Sequence, residues 1–272
     1  MDLEGINLDH TLSCGQAFRW RKLEGRWHGI VAGKEIVLEQ MGDDAEVHTS
    51  LSDRAVRDYF RYDDDNGEIF AEIGRDRYIT MLLRRYRGLR LLRQDPWECS
   101  ASYILATYAN VPRIIQMVER VSRTFGTKLS EDGFSFPSPE QILKKSAQAG
   151  TCGLGYRCER FVEFARSVHD GKVDFDSLKC ADYSDCVKEL ARFDGIGSKV
   201  ADCVALFSLD HLEAFPIDVR IGRVLEQRYG IKGSYRKTNA WARQHFGCYA
   251  GYAQEYIYFD QDIKNRSINN RR

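Results

Sequence analysis

Residues 190–220 read LARFDGIGSKVADCVALFSLDHLEAFPIDVR and contain the most informative pattern in the chain. Apolar residues at helical spacing in 184–193 and 198–209 predict two helices, and Gly195-Ile196-Gly197 between them predicts a tight turn. The backbone N–H groups of this turn and of Lys199 would then point outward at a helix N-terminus, which can hold an anion. A Gly-x-Gly turn also joins ordinary helices, so the turn alone leaves both interpretations open.

Lys199 and Asp218 are the candidate catalytic residues of this stretch. We expect Ser198 to cap the second helix, so Lys199 falls in the first turn. The positive end of the helix dipole there destabilises an ammonium group and favours the neutral amine that a nucleophile requires. Asp218 is in position to cap the next helix, and could also point toward Lys199. An amine and a carboxylate are the minimal pair for covalent cleavage of a glycosidic bond, because the amine attacks the anomeric carbon while the carboxylate stabilises the developing positive charge.

The pattern outside this stretch predicts an α+β fold, with a small N-terminal antiparallel β-sheet layer followed by a large helical region. Apolar and polar residues alternate in 17–21, 27–31 and 35–39, and glycines between these segments predict hairpins. After about residue 51 the spacing becomes helical, and Asp95-Pro96 interrupts it. We therefore predict an N-terminal domain of sheet and helices over 1–95, and a helical domain over 96–272 with a helix-hairpin-helix at about 184–209. Further helices are predicted at 97–107, 112–125, 157–168, 218–229 and 249–264.

The composition fits a folded protein with a balanced charge. The chain has 272 residues, 43% of them hydrophobic, and 40 basic residues balance 40 acidic ones, which excludes a wholly basic nucleic-acid binder. Residues 81–94 carry five arginines and no acid, and we expect them on a solvated helix face, with phosphate contacts as the alternative. The charged N-terminus and eight cysteines without an export signal predict reduced thiols and an intracellular protein, cytoplasmic and nucleoid-associated in a prokaryote.

The run 195–203, together with Pro216-Ile217-Asp218-Val219, resembles the 8-oxoguanine DNA glycosylase family. This family belongs to the helix-hairpin-helix, Gly-Pro-Asp superfamily of base-excision enzymes. The resemblance covers nearly the whole chain in order, through segments at 13–20, 91–96, 117–120, 154–157 and 249–254. It implies a bifunctional DNA glycosylase and AP lyase, acting as a monomer on double-stranded DNA that contains 8-oxoguanine, without cofactor or metal.

The resemblance implies a role for each matching residue around the damaged base. Lys199 corresponds to the nucleophile that attacks C1′ and forms a Schiff base, which permits β-elimination of the 3′ phosphate, and Asp218 to the essential carboxylate. Gly15 matches the glycine whose carbonyl accepts the N7 proton that distinguishes 8-oxoguanine from guanine. Cys203 and Tyr258 match the pair that sandwiches the flipped base, and Gln254 matches the residue that binds its Watson–Crick edge. By position alone, Cys203 would be a small buried side chain.

The resemblance also implies contacts with the opposite base and with phosphates. Arg113 and Arg157 match arginines that read the estranged cytosine, and Tyr156 matches an aromatic wedge, although by itself it could equally be a core residue. Eukaryotic members carry three asparagines at Tyr108-Ala109-Asn110, so Tyr108 replaces the asparagine that fills the gap in the duplex. The predicted phosphate contacts are Gly195, Gly197 and Arg220. Arg220 stands where the eukaryotic members have histidine.

Three other interpretations are compared with this one. An endonuclease III type enzyme would carry four cysteines for an iron–sulfur cluster near its C-terminus, but only Cys248 lies beyond the hairpin helices. The alkylpurine type lacks the hairpin lysine. A non-enzymatic DNA-binding module would need neither Lys199 nor Asp218. A catalytic metal is not expected, since no Cys-x-x-Cys or His-x-x-x-His pair occurs, whereas a structural ion bound at the hairpin stays open.

Overall fold

The computed structural model describes the backbone of residues 1–269 and the side chains of residues 1–261, and the fold is α+β, as predicted. The N-terminal part contains β1 (Asp2–Leu3), α1 (Leu8–Ser13), β2 (Arg21–Leu23), β3 (Arg26–Val31), β4 (Lys34–Met41), β5 (Asp44–Thr49), α2 (Asp53–Tyr59), α3 (Asn66–Ile73) and α4 (Arg77–Arg85). The helical part contains α5 (Pro96–Leu105), α6 (Val111–Phe125), α7 (Pro139–Lys144), α8 (Arg157–His169), α9 (Phe175–Cys180), α10 (Tyr183–Leu190), α11 (Ser198–Ser208), α12 (Val219–Tyr229), α13 (Tyr235–Phe246) and α14 (Ala250–Asn269). Within the described residues, no helix combines the length and the apolar character needed to cross a bilayer.

The five strands form one antiparallel sheet in the order β1-β5-β4-β3-β2. The predicted hairpin glycines Gly25 and Gly33 have φ of 84° and 70°, the left-handed conformation that glycine adopts without a steric penalty. At Gly29 in β3, a Cβ atom would lie 2.5 Å from the ring of Trp20, so only glycine allows the indole to pack on the sheet.

The prediction of a strand over residues 17–21 is wrong, because of these residues only Arg21 belongs to a strand. The side chains of this segment pack in opposite directions. Phe18 enters the helical core, whereas Trp20 enters the core of the sheet and donates its Nε1–H to the Tyr59 hydroxyl at 2.9 Å. The alternation of the sequence therefore reflects a connection between two cores. Helices α1, α3, α9 and α13 were not predicted.

The buried apolar side chains form two clusters. The smaller one lies between the sheet and α2 and includes Ile36, Leu38 and Phe60. The larger one fills the helical part, and Ile73 of α3 and Leu82 of α4 belong to it. Helices α3 and α4 therefore pack with the helical part although they precede Asp95, and the domain boundary after residue 95 stays a prediction.

The expectation of a solvated arginine face in residues 81–94 holds for the exposed Arg84, Arg85 and Arg87 and is wrong for Arg90 and Arg93. Arg90 is buried, and its guanidinium lies 3.9 Å from the ring centroid of Tyr62. Arg93 is half-buried and bonds to acidic residues through Nε and Nη1. The side chains of Arg90 and Arg93 are therefore engaged in contacts within the protein and do not belong to a solvated face.

An ionic cluster around Arg61 joins the N-terminal part to the C-terminal end of α11. The Arg61 side chain has no exposed surface, and its Nη2 lies 2.7 Å from Asp210 Oδ1 and 3.2 Å from the carbonyl oxygen of Leu206. Arg93 Nε donates to the same Asp210 oxygen at 2.9 Å. Burial alone raises the pKa of Asp210, but the charge of Arg61 and the hydrogen bonds from Lys179 and Arg93 outweigh it and lower the pKa to about 2.

We predict that Asp210→Asn lowers the free energy of unfolding near neutral pH by about 3 kcal/mol, because the buried Arg61 loses its closest counter-charge. The folded-state pKa of Asp210 is depressed from an unfolded value of about 3.9, so its stabilisation is complete above that value and is lost as the pH falls toward about 2. The difference between wild type and variant should therefore narrow at about pH 3. Urea unfolding near neutral pH and at about pH 3 measures this difference in the free energy of unfolding.

Asp170→Asn is the control, since Asp170 forms an ion pair with Lys172 at the surface. We expect this change to alter the free energy of unfolding by about 0.5 kcal/mol or less. Two results would contradict the stabilising role of the charged pair. One is a loss of unfolding free energy in Asp210→Asn no larger than that in Asp170→Asn, and the other is a loss equally large near neutral pH and at about pH 3.

Candidate active site

A cleft of about 1550 Å³ lies between the hairpin, the connection of α5 to α6, the segment before α12, and α14. Most of the predicted site residues line it: Gly15, Tyr108, Asn110, Gly195, Gly197, Lys199, Cys203, Asp218, Arg220, Gln254 and Tyr258. These residues are distant in the sequence, so the fold brings the predicted catalytic, base-binding and phosphate-binding groups to one place.

The hairpin between α10 and α11 has two glycines in different roles. Gly195 has φ of 92°, and a Cβ atom there would lie 3.3 Å from Arg160 and Ile104, so this glycine is required by both conformation and packing. Gly197 has an ordinary extended backbone, and a Cβ atom there would meet nothing within 4 Å. The predicted cap at Ser198 is wrong: Gly197 is the N-cap, since its carbonyl accepts the first helical bond from Ala201 at 2.9 Å. No side chain of the described structure caps α11, which leaves its first N–H groups available to an anion.

Lys199 lies in the first turn of α11 on an aromatic floor. Its Nζ is 5.2 Å from the ring centroid of the buried Tyr103, whose own ring stacks on Phe207 at 5.8 Å. The neighbouring Cys203 is buried, and burial raises the pKa of its thiol to about 11 although the charge of Lys199 opposes the shift. The thiol is therefore protonated near neutral pH, which favours the amine of Lys199 as the nucleophile of this pair.

Asp218 caps α12, as predicted. Its Oδ1 accepts the backbone N–H groups of Arg220 at 2.9 Å and of Ile221 at 2.8 Å. These bonds fix the carboxylate at the N-terminus of α12. Asp218 and Lys199 thus line the same cleft at the N-termini of two different helices.

Gly15, Tyr258 and Gln254 meet at the wall of the cleft. Gly15 has φ of 89°, a left-handed conformation that favours glycine, and its Cβ position lies in van der Waals contact with the ring of Tyr258 at 3.6 Å. The guanidinium of Arg220 lies 5.7 Å from the centroid of the same ring. Gln254 is buried, and its Oε1 has no hydrogen-bond partner among the described residues, which leaves an amide acceptor available beside the cleft.

Gln16 supports this wall and was missed as a functional residue. Its buried side chain donates through Nε2 to the carbonyl oxygens of Thr11 at 3.0 Å and Arg90 at 2.9 Å. Its Oε1 accepts the N–H of Leu92 at 2.8 Å. These bonds hold the loop that carries Gly15. The sequence signals Gln16 only through the segment 13–20, because Arg90 and Leu92 lie more than seventy positions away and Thr11 lies in α1, a helix that the sequence did not predict.

The predicted opposite-base residues form a second group at the rim of the cleft. The side chain of Tyr108 is 97% exposed at φ of 51°, and that of Tyr156 is 52% exposed. Arg157 is buried and donates to the carbonyl oxygens of Thr107 at 2.8 Å and Tyr108 at 3.2 Å. The contacts of these residues with an opposite base stay predictions.

Arg113 and Asn110 of the same group are also engaged with the protein. Arg113 Nη2 donates to the Gly153 carbonyl at 2.5 Å, and Asn110 Oδ1 caps α6 by accepting the N–H of Arg113 at 3.0 Å. Arg113, Tyr156 and Arg157 do not line the cleft itself. In this conformation the two arginines bind backbone carbonyls, so reading a base would require them to exchange these bonds.

Comparisons with known proteins find similar N-glycosylase/DNA lyases. Residues 1–99 match the 8-oxoguanine DNA glycosylase N-terminal domain family. The N-glycosylase/DNA lyase OGG1 of Arabidopsis thaliana is 30% identical, over 93% of this chain and 76% of its own length. A probable N-glycosylase/DNA lyase of Methanothermobacter thermautotrophicus is 27% identical, over 93% of this chain and 92% of its own. The Clostridium acetobutylicum 8-oxoguanine glycosylase/lyase, in complex with double-stranded DNA containing cytosine opposite 8-oxoG, superposes with a TM-score of 0.90 at 28% identity, covering 96% of this chain and 93% of that one.

We predict that alanine at the two hairpin glycines separates stability from DNA binding. Gly195→Ala should lower the free energy of unfolding by about 1–3 kcal/mol, because it forces a side chain into a left-handed, tightly packed position. Gly197→Ala should leave stability nearly unchanged and weaken the binding of a DNA duplex, since its methyl group would obstruct the open N-terminus of α11. Thermal unfolding and duplex titrations measure the two effects.

Each variant serves as the control for the other. Equal destabilisation by both changes would show that Gly197 is also required for packing. Wild-type affinity of Gly197→Ala for the duplex would remove the hairpin from the DNA interface.

Proposed function

This chain belongs to the 8-oxoguanine DNA glycosylase/lyase family, and on that premise we propose that it excises 8-oxoguanine from duplex DNA with Lys199 as the nucleophile. The observation that carries the assignment is the presence of the Lys199 amine and the Asp218 carboxylate in one cleft. Among the residues with described side chains, Lys232 is the other lysine lining that cleft, and its Nζ is paired with Glu226 at 2.7 Å. The ion pair favours the charged form of Lys232, which is not nucleophilic.

The reaction joins a displacement to an elimination. The neutral amine of Lys199 attacks C1′ of the damaged nucleotide, the bond from C1′ to the base breaks, and the base leaves with the bonding electrons and takes up a proton. The amine nitrogen loses its protons as the sugar ring opens, which gives a Schiff base between Lys199 and C1′. Loss of a proton from C2′ then expels the 3′ phosphate and cuts the strand. Asp218, fixed by two amides, supplies negative charge beside C1′ while positive charge develops there.

Recognition of the damaged base is proposed at the wall of the cleft formed by Gly15, Gln254, Tyr258 and Cys203. The Gly15 carbonyl would accept the N7 proton of 8-oxoguanine, where guanine presents a lone pair and is repelled. Tyr258 and Cys203 would hold the two faces of the flipped ring, and the buried amide of Gln254 would bond to its Watson–Crick edge. The unused Oε1 of Gln254 supports this assignment, because a buried amide oxygen without a partner is costly until a ligand satisfies it.

The opposite strand is proposed to contact the rim of the cleft. Tyr108 and Tyr156 would occupy the gap left by the extruded nucleotide, and their exposed rings support this role. Asn110, Arg113 and Arg157 would then contact the estranged base, which we propose to be cytosine in the preferred substrate. The two arginines carry donors that suit the acceptor edge of a pyrimidine.

Phosphate binding is proposed at the hairpin and at Arg220. The uncapped N–H groups after Gly197 suit a phosphate oxygen without reading sequence. Arg220 lies in the first turn of α12, two residues after Asp218, and its guanidinium lies over the ring of Tyr258, so its contact would lie close to the damaged nucleotide. We propose that the protein acts on chromosomal DNA inside the cell, in contact with the nucleoid in a prokaryote.

We predict that borohydride traps the wild-type protein on a duplex containing 8-oxoguanine, most efficiently opposite cytosine, and that Lys199→Gln abolishes trapping while duplex affinity is largely retained. The reduced adduct forms only if an amine reaches C1′. Gel analysis of the cross-linked complex measures the effect, with an undamaged duplex alongside.

Lys232→Gln is the matched control, because it removes the other amine of the same cleft. It should trap at the wild-type rate. Trapping retained in Lys199→Gln and lost in Lys232→Gln would reassign the nucleophile, and no trapping by the wild-type protein would remove the lyase mechanism.

We predict that Arg157→Ala reduces the ratio of excision rates opposite cytosine and opposite adenine by about tenfold, the value of one lost specific base contact. Arg160→Ala is the control: its guanidinium also lies over the Tyr156 ring, at 5.6 Å, but it pairs with Asp194 at 3.1 Å. Arg160→Ala should affect all duplexes alike. Single-turnover excision on the paired substrates measures both ratios, and an unchanged ratio in Arg157→Ala would place the reading of the opposite base elsewhere.

A further inference from the structure

A buried carboxylate lies three residues after Lys199 on the same helix. Asp202 is 1% exposed, and the hydroxyl of Tyr183 donates to its Oδ1 at 2.5 Å. Its Oδ2 accepts the hydroxyl of Tyr235 and the amide N–H of Asn239, the latter at 2.9 Å. Three donors from α10 and α13 thus converge on one carboxylate of α11, and none of them belongs to the reaction described above.

The same donors also bind the segment that leads to Asp218. The amide of Asn239 donates a second bond to the carbonyl oxygen of Phe215 at 3.0 Å. The hydroxyl of Tyr235 accepts the backbone N–H of Ile217 at 3.4 Å. Ile217 immediately precedes Asp218 in the chain, so the network reaches the backbone on which the cap of α12 is built.

Asp202 is suited to organise this network as an anion. Burial raises the pKa of Asp202 to about 6, and the hydrogen bonds from Tyr183 and Tyr235 and the charge of Arg243 limit this rise. The carboxyl group is therefore mostly ionised at neutral pH. The Arg243 guanidinium lies 3.6 Å from the ring centroid of Tyr183 and so supplies positive charge behind the donors. A buried carboxylate with three donors is held in one orientation, because each change of rotamer breaks several charge-assisted hydrogen bonds.

We propose that Asp202 is a positioning residue that sets the distance between Lys199 and Asp218. The two proposed reacting side chains stand on separate elements, Lys199 on α11 and Asp218 at the start of α12. Two paths of hydrogen bonds connect these elements: one runs through Asp202, Tyr235 and Ile217, and the other through Asp202, Asn239 and Phe215. This role rests on the proposed function of Lys199 and Asp218. The amine must meet C1′ while the carboxylate faces the same centre, and a displacement of about 1 Å can slow such a reaction about 100-fold.

The test compares the chemical step with duplex affinity in Asp202→Asn and Tyr235→Phe. Asp202→Asn should lower the single-turnover rate of borohydride-trapped imine formation by up to about 100-fold, and Tyr235→Phe by about tenfold, while the Kd for an 8-oxoguanine duplex changes by less than about threefold. The double variant should be no slower than Asp202→Asn alone, because both changes break the same connection. Tyr235→Phe removes one oxygen atom only, and therefore gives a folded variant even where Asp202→Asn does not.

The chain provides a matched control at Asp260. This carboxylate is also fully buried and accepts the hydroxyls of Tyr78 at 2.9 Å and Tyr86 at 2.8 Å. These donors belong to α4 and its C-terminal end, and among the described residues neither hydroxyl is hydrogen-bonded to residues 215–218. Tyr86→Phe should lower the thermal midpoint to an extent similar to Tyr235→Phe and leave the rate of imine formation unchanged.

The outcomes separate this inference from the proposed function. Slow imine formation in both Asp202 network variants, with the Tyr86→Phe rate intact, supports the positioning role. A wild-type rate in Tyr235→Phe, or a fall in Tyr86→Phe as large as in Tyr235→Phe, would overturn it while the proposed function stands. Failure of the wild-type protein to form any trapped imine would overturn both.

Discussion

The enclosure of α11 is the constraint on which the rest of the structure depends. Every residue from Val200 to Ser208 is buried, and α5 and α10 pack against the helix. A helix enclosed in this way cannot shift without opening the core around it, because protein interiors are close-packed. Its first turn carries Lys199 into the cleft, so Lys199 takes its fixed position from the larger apolar cluster of the molecule.

The features that the sequence predicted correctly depend on local signals. The α+β class follows from the change from two-residue to helical periodicity, and the bonds of Asp218 reach only to the next two or three residues. The hairpin was placed correctly between its two helices for the same reason. The N-cap was wrong by one position, since serine is favoured there by its side chain, whereas at the open N-terminus of α11 a glycine serves without one.

The features that could not be predicted depend on partners far away in the chain. Arg61 is buried because Asp210 faces it from the end of α11, and Asp202 because Tyr235 does so from α13. Charge patterning indicates which side chains carry charge, but it gives no information on which of them meet after folding. The same limit explains residues 17–21, whose alternation predicts one strand although Phe18 and Trp20 enter two different cores.

Tyr108 shows how such long-range contacts support a strained site. Its side chain is almost fully exposed, and its backbone has the left-handed conformation at φ of 51°, so neither burial nor local geometry favours this arrangement. The guanidinium of Arg157 bonds to the carbonyl oxygens of both Thr107 and Tyr108 and thereby holds the turn. Strain of this kind persists where the surrounding structure fixes it, and it clusters at functional sites. An exposed aromatic ring held at the rim of the cleft gains its compensating contacts only when it stacks in a duplex, which is the role proposed for it.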